Sequence, residues 1–451
     1  MSLFSIAWKS IRERGLASTL TALSVTLGVM LMVVVLVISR AVNAAFSQRT
    51  IAYDLIVGHQ RGGELPLVLS AVYRVQPASE NLPYLYYKQL KEDRRVVSAV
   101  PFAFGDVTEK GFFPLVGTTS EYFENDYTPG EKFRIRGKRI NGYFDAIIGS
   151  EVARRNDWDL GSQFQIQHGG AESTHVHNEM FTVVAVIQQT GTPNDRTVFV
   201  NIEGFYAIAG HETPLNEVEA RLKNFYASDP ARLKIALDQI TAAKTLEETE
   251  AAAGHDAHHH HEIPDAAKEV TAVLIRTRPL TEFPFDAIYL SSELKEGYQA
   301  MAVNPMKPIR KLMNDVLGNV KKGLIVLTGM IILVSGVSIF VSIYNSMADR
   351  RREIGIMRAL GARRGSVFGI VLAESVVLCV GGGLLGWLFG HGLAVAAAPY
   401  VTAQTGLLLD PWAIDSMEFI LFPVLLALAV LVGILPATTA YRTDVADALS
   451  S

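Results

Sequence analysis

Four long apolar runs dominate this chain, at about Leu16–Ser39, Gly323–Tyr344, Ser366–Gly390 and Phe419–Ala440. Each exceeds the roughly 20 residues that cross about 30 Å of hydrocarbon at 1.5 Å per residue. The first run is too long for the apolar core of a signal peptide, and no clear small-x-small cleavage site precedes a mature domain, so it reads as a retained anchor.

Basic residues orient the four spans. Lys9, Arg12 and Arg14 precede the first span, and Arg350, Arg351, Arg352, Arg358, Arg363 and Arg364 lie between the second and third. The stretch from about His391 to Ser416, between the third and fourth, has no Lys or Arg. Both termini and the Arg-rich segment are therefore expected in the cytoplasm. The long segment from about Arg40 to Lys322 is expected outside, where it is large enough for one or two domains with their own core.

The exterior segment mixes patterns. "AIIGSEVARRNDW" reads as a strand turning into a helix, and "SQFQIQ", "MFTVVAVIQQTG" and "EVTAVLIRTRP" read as strands. "NDRTVFVNIEGFYAIAG" reads as a strand followed by a short helix, and "SSELKEGYQAMAVNPMKPIRKLMNDVLGNVKKG" as largely helical. Residues 242–267, "AAKTLEETEAAAGHDAHHHHEIPDAA", lack periodic apolar positions and read as a loop.

The chain is 49% hydrophobic with a net charge of −4, so bulk charge gives no reason to expect nucleic acid as a partner. Its one cysteine, Cys379, lies in an apolar run. That rules out a disulfide within the chain and suits a buried, inert thiol.

The segment "DRRREIGIMRALGARRGSV" carries six arginines between two spans. Arg350, Arg351 and Arg352 could do no more than fix topology. The rest has helix formers, an apolar set at Ile354, Ile356, Met357 and Leu360, and Gly361 where a helix would stop. A short amphipathic helix there suits docking to a cytoplasmic partner.

"RRREIGIMRALGARRGSVFGIVLAESVVLCVGGGLLGW" resembles the signature of FtsX-like, MacB-type permeases, also called type VII ABC transporter permeases. The likeness extends to "AIIGSEVARRNDWDLGSQFQI" and "FTVVAVIQQTGTPNDRTVFV" in the exterior segment and to "GILPATTAYRTDVADAL" near the C-terminus. The family usually has a proline near Val445, where this chain has none. The resemblance implies a coupling helix that contacts a separate cytoplasmic ABC ATP-binding subunit. Matched onto this sequence, its coupling residues are Glu353, Ile354, Gly355, Met357, Arg358, Ala359, Leu360 and Gly361. The apolar face would enter a cleft of the ATPase, with Glu353 and Arg358 at its rim. No G-x-x-x-x-G-K-[ST] occurs in this sequence, so ATP is expected to act through the partner and this chain to be non-catalytic.

Three further features invite a role. Gly382, Gly386 and Gly390 recur every four residues, as small residues do where helices approach closely, within a chain or between subunits. Glu374 sits about 12 Å into the third span, suiting a structural or coupling role or a proton or substrate site. Ten of the eleven histidines lie in the exterior segment. His175 and His177 flank an expected hairpin and would share a strand face. They and His255, His258, His259, His260 and His261 could hold zinc, or could be no more than loop composition.

The expected fold is a membrane protein with four transmembrane α-helices and a large α+β extracytoplasmic domain between the first and second. The expected boundaries are a cytoplasmic segment 1–15, helix 1 with the start of a stalk 16–42, the MacB-type α+β domain 43–318, and stalk end with helix 2 at 319–347. The coupling helix 348–364, helix 3 at 365–392, an exterior loop 393–416, helix 4 at 417–440 and a cytoplasmic tail 441–451 follow. The exterior domain should hold two subdomains, one nearer both ends of the segment and one an insertion containing "FTVVAV". The resemblance implies a homodimer in the inner membrane, in contact with lipid. It would export or extract a lipoprotein, hydrophobic compound or peptide, with an extracytoplasmic adaptor or substrate protein. The alternatives are a mechanotransmitter that activates an exterior partner without transport, and a zinc-linked binding or sensing module.

Overall fold

The computed structural model describes residues 9, 11–13, 15–45, 51–75, 80–168, 176–208, 213–252, 263–278, 285–294, 298–349, 351–405, 409–414 and 416–442. The chain forms two units. One joins Met1–Ala45 to Met313–Ser451, and the other is Phe46–Leu312.

Helix α1 (Gly15–Ala45) is followed in the chain by the Phe46–Leu312 unit. Its elements begin with β1 (Leu55–His59), α2 (Glu64–Ala71), β2 (Leu82–Pro83), α3 (Tyr84–Glu92), β3 (Val96–Thr108) and β4 (Pro114–Thr118). They continue with β5 (Asp126–Thr128), β6 (Glu131–Lys132), β7 (Ile135–Gly137), β8 (Asp145–Ile148), α4 (Ser150–Asn156), β9 (Gln163–Phe164), β10 (Ile166–His168) and β11 (Phe181–Ile187). Then come β12 (Val198–Asn201), α5 (Ile202–Tyr206), α6 (Leu215–Phe225), α7 (Pro230–Ala252), β13 (Glu269–Val270), β14 (Ala272–Thr277), α8 (Phe285–Glu293), β15 (Ala300–Val303) and α9 (Met306–Leu312).

The main sheet runs β15-β1-β14-β3-β4-β12-β8-β11-β7, with β10 added to β3 and β9 to β11. Strand β11 alternates buried and half-buried residues, as expected when one sheet face packs on a core. The Phe46–Leu312 segment is one compact unit, and β3 joins two stretches of its main sheet. Its first half, Val96–Phe102, pairs with β14 from the far end of the unit, while Ala103–Val107 pairs with β4. The core beneath includes Phe164 stacked on Phe181 and Trp158 stacked on Phe164.

Two segments differ from the sequence reading. Residues 300–303 form β15 and pair with β1 instead of continuing a helix. Helix-forming Ala and Met yield here because all four residues are buried at the sheet. Residues 242–252 continue helix α7, where a loop was expected. Ala, Leu, Glu and Lys favour helix strongly enough to extend it without an apolar stripe.

The other unit contains α1, α10 (Gly318–Asp349), α11 (Arg351–Ala359), α12 (Arg364–Thr405) and α13 (Ser416–Arg442). Four of these, all but α11, are long and apolar enough to cross a membrane. Helix α12 continues past Pro399 to Thr405, beyond the expected end of the third span.

The glycine ladder packs within the chain. A Cβ on Gly382, Gly386 or Gly390 would lie 3.1, 2.7 or 2.7 Å from the Cβ of Val25, Val29 or Val33 on α1. The ladder and the valine row share a four-residue spacing, so the two helices mesh along one seam. Thr26 Oγ1 adds a cross-helix hydrogen bond to the Gly382 carbonyl at 3.1 Å. Similar contacts set Gly28 against Ile331 and Ile332 of α10, and Gly383 against Leu425 of α13.

At Gly386 an added methyl would also come within 2.5 Å of the Thr26 carbonyl oxygen, a backbone atom that cannot rotate away. Gly386→Ala should therefore cost about 1–3 kcal/mol and lower the thermal unfolding temperature of the detergent-solubilised chain. Gly381→Ala, where nothing lies within 4 Å, should leave it unchanged.

Candidate functional site

Helix α11 lies between α10 and α12, and its apolar residues divide between two faces. At about 100° per residue, Ile354 and Ile356 stand about 200° apart, whereas Ile356 and Leu360 stand about 40° apart. Ile354 is 3% exposed and belongs to the core of its own unit, with Met357 packed against that core. Gly355 is buried as well. Ile356 is 45% and Leu360 84% exposed.

This corrects the single docking face expected from the sequence. Ile354 is buried and the half-buried Met357 packs against the same core, so both fasten α11 to its own unit. The outward surface is Ile356, Ala359 and Leu360, with Arg358 half-buried beside them. The side chain of Glu353, the other expected rim residue, lies outside the described set, as do those of Arg351 and Arg352.

Gly361 ends the helix as expected. Its φ of +100° falls in the region that favours glycine. Its N–H donates to the Arg358 carbonyl, and the Ala362 N–H to the Met357 carbonyl, both at 3.0 Å. This pair of bonds caps the last turn. Helix α12 starts three residues later, and the Arg364 guanidinium lies over the Tyr441 ring, 5.9 Å from its centroid.

Glu374 is 2% exposed, so it faces the protein interior as expected of an intramembrane carboxylate. A second buried acid among the described residues of this unit escaped the sequence reading. Glu418, in the first turn of α13, accepts a hydrogen bond from Trp387 Nε1 at 2.8 Å and lies 3.0 Å from His391 Nε2. His391 Nδ1 meets the Pro411 carbonyl at 2.6 Å. The available signal was Trp387 and His391, four residues apart on one apolar helix, together with an acid at the start of the next.

Among the expected metal ligands, His177 is described and buried, whereas His175, His255, His258, His259, His260 and His261 lie outside the described residues. His177 sits beside His168 and Asp106, two residues the sequence reading did not select as ligands. His59 has another role, its Nδ1 accepting from the Arg61 N–H at a turn.

A model of the FtsX-like permease C-terminal region matches residues 325–445, and one of the MacB-like periplasmic core domain matches residues 18–243, half of the chain. The chain belongs to the MacB-type family of ABC transporter permeases and is a membrane protein with an extracytoplasmic domain. Among individual relatives, the macrolide export ATP-binding/permease protein MacB of Rhodopirellula baltica is 31% identical over 150 residues, 33% of this chain and 21% of that protein. An ABC transporter permease of Bacillus subtilis, YknZ, is 32% identical over 162 residues, 34% of this chain and 37% of that protein. The match thus spans well under half of either relative. The periplasmic region of MacB from Actinobacillus actinomycetemcomitans aligns with 59% of this chain and 95% of its own, at 12% identity and a TM-score of 0.32.

Gly361→Ala should strain the cap by about 1 kcal/mol. Hydrogen exchange should then run about fivefold faster at the amides of residues 360–362, with no change inside α12. Equal exchange in both proteins would mean that this turn does not hold the helix end.

Proposed function

We propose that this chain is the permease subunit of an ATP-driven complex and that a separate cytoplasmic ATP-binding subunit docks on α11. The observation that carries this reading is the two-faced helix. Ile354 and Met357 fasten it to the apolar helices, while Ile356 and Leu360 stand exposed on the other side. A partner covering the exposed pair would push on an element already joined to the spans. Arg358 and the exposed Arg363 and Arg364 suit an acidic rim on that partner.

In this reading both termini and α11 are cytoplasmic, Phe46–Leu312 is extracytoplasmic, and the chain resides in the inner membrane. ATP hydrolysis in the partner moves the exterior domain to export or extract a lipoprotein, hydrophobic compound or peptide, with an exterior adaptor or substrate protein. The macrolide export function of the MacB relatives' names favours a hydrophobic compound. Helix α10 exposes Val326, Met330, Leu333, Val334, Val337 and Val341 at helical spacing, a stripe suited to lipid or to a second copy of the chain in a homodimer. The close glycine–valine seam supports a second reading, a mechanotransmitter that drives an exterior partner without conducting anything between these helices.

The chain co-expressed with its ATP-binding subunit supplies the test. Ile356→Asp combined with Leu360→Asp should weaken docking about tenfold or more, a loss of about 1.4 kcal/mol or more, and so abolish copurification or lower permease-stimulated ATP hydrolysis. Ile354→Ala should instead lower the unfolding temperature. Full copurification and turnover in the double variant would rule out docking at α11.

A further inference from the structure

Three residues of the Phe46–Leu312 unit converge where β3, β10 and the segment at 176–177 meet. Asp106 is on β3, and His168 is its direct cross-strand partner on β10. The chain then returns alongside β10. Gln167 bridges Val176, and the His177 N–H donates to the Ile166 carbonyl at 2.9 Å. This register puts His177 on the same face as Ile166 and His168, because alternate residues share a face. His168 Nδ1 lies 2.9 Å from Asp106 Oδ1, and the two imidazole rings are 5.8 Å apart. One ligand atom from each of the three residues lies within 4.8 Å of the other two.

We infer that Asp106, His168 and His177 form a binding site for a divalent transition metal, with zinc the ion it suits. Two imidazoles and one carboxylate are a common zinc donor set, and three protein ligands leave a fourth position open. Around one tetrahedral zinc the ligand atoms stand about 3.3 Å apart, as bond lengths of about 2.0–2.2 Å require. A pair at the 4.8 Å limit would have to close by about 1.5 Å. His168 already lies within reach of Asp106, so the movement needed is toward His177; the 56% exposed His168 side chain is the freest to make it, while Asp106 is fully buried and His177 nearly so. A buried carboxylate flanked by imidazoles is also where a cation gains most, because little water competes for the acid.

The site differs from the histidine run at 255–261 and would work without it. Its ligands bracket the connection between residues 168 and 177, so a bound ion would fasten both ends of that connection to β3. The fourth position would accept water or a donor group from an exterior partner. This inference rests on β-sheet register and donor chemistry, independently of docking at α11.

The test uses the full chain in detergent, purified without a histidine tag, with His255, His258, His259, His260 and His261 replaced by glutamine to remove background binding. Zinc is titrated against a chromophoric chelator, and cobalt(II) absorption reports the coordination geometry. The expected result is one zinc per chain and a tetrahedral cobalt spectrum. His168→Gln and Asp106→Asn should each weaken zinc binding about 100-fold or more, since outer-shell changes alone cost about 10–100-fold. His168→Gln alters an exposed side chain and keeps the test valid if Asp106→Asn does not fold. The absence of a zinc equivalent in the run-substituted chain, or unchanged affinity in either folded variant, would overturn the assignment.

Discussion

The seam between α1 and α12 is the contact on which the remaining architecture depends. Gly382, Gly386 and Gly390 bring the two backbones close enough for Val25, Val29 and Val33 to fill the space that side chains would occupy. Lipid tails are as apolar as valine, so burial alone gives helices in a bilayer little reason to associate, and close van der Waals packing has to supply it. The seam joins the first apolar helix to the third across the whole Phe46–Leu312 insertion. That insertion is closed in the same manner, by pairing between its ends. Strand β1 lies between β14 and β15, so the strands nearest the two ends of the unit become neighbours in its sheet.

A helix held this way can carry force. Helix α12 runs unbroken over 42 residues, about 63 Å at 1.5 Å per residue. One end follows the Gly361 turn from α11, and the Trp387–His391–Glu418 cluster ties it to α13 further along. Pressure on the outer face of α11 would thus reach three packed helices through Ile354, Met357 and the α12 backbone. A loop without that inner face would absorb the push.

Much of this architecture was legible in the sequence, for identifiable physical reasons. Bilayer thickness sets a minimum length for an apolar helix, so Leu16–Ser39 and its three counterparts could be found by length and composition. Gly361 could be assigned as a helix stop because few other residues adopt positive φ there. Pairing between distant segments was harder to see. The glycine ladder announced a close contact but did not name Val25, Val29 and Val33 as its partners. Asp106 could not be linked to His168 without the β3–β10 register, and the conspicuous histidine run drew attention from His168. The division of α11 into two faces was available from helical angles alone and was missed because four apolar residues in seven were read as one set. Residues 300–303 were read as helix because local propensity carries no information about a waiting sheet edge.

Every role assigned to α11 requires it to lie on the opposite side of the membrane from the Phe46–Leu312 unit. Single cysteines at the exposed positions Ala227 and Gly365 test this directly, because the native Cys379 is buried and should stay silent. In intact spheroplasts treated with a membrane-impermeant thiol reagent, Ala227→Cys should be labelled at once and Gly365→Cys only after lysis. Labelling of Gly365→Cys from outside intact cells would contradict the topology, and with it the account of α11 as the coupling surface.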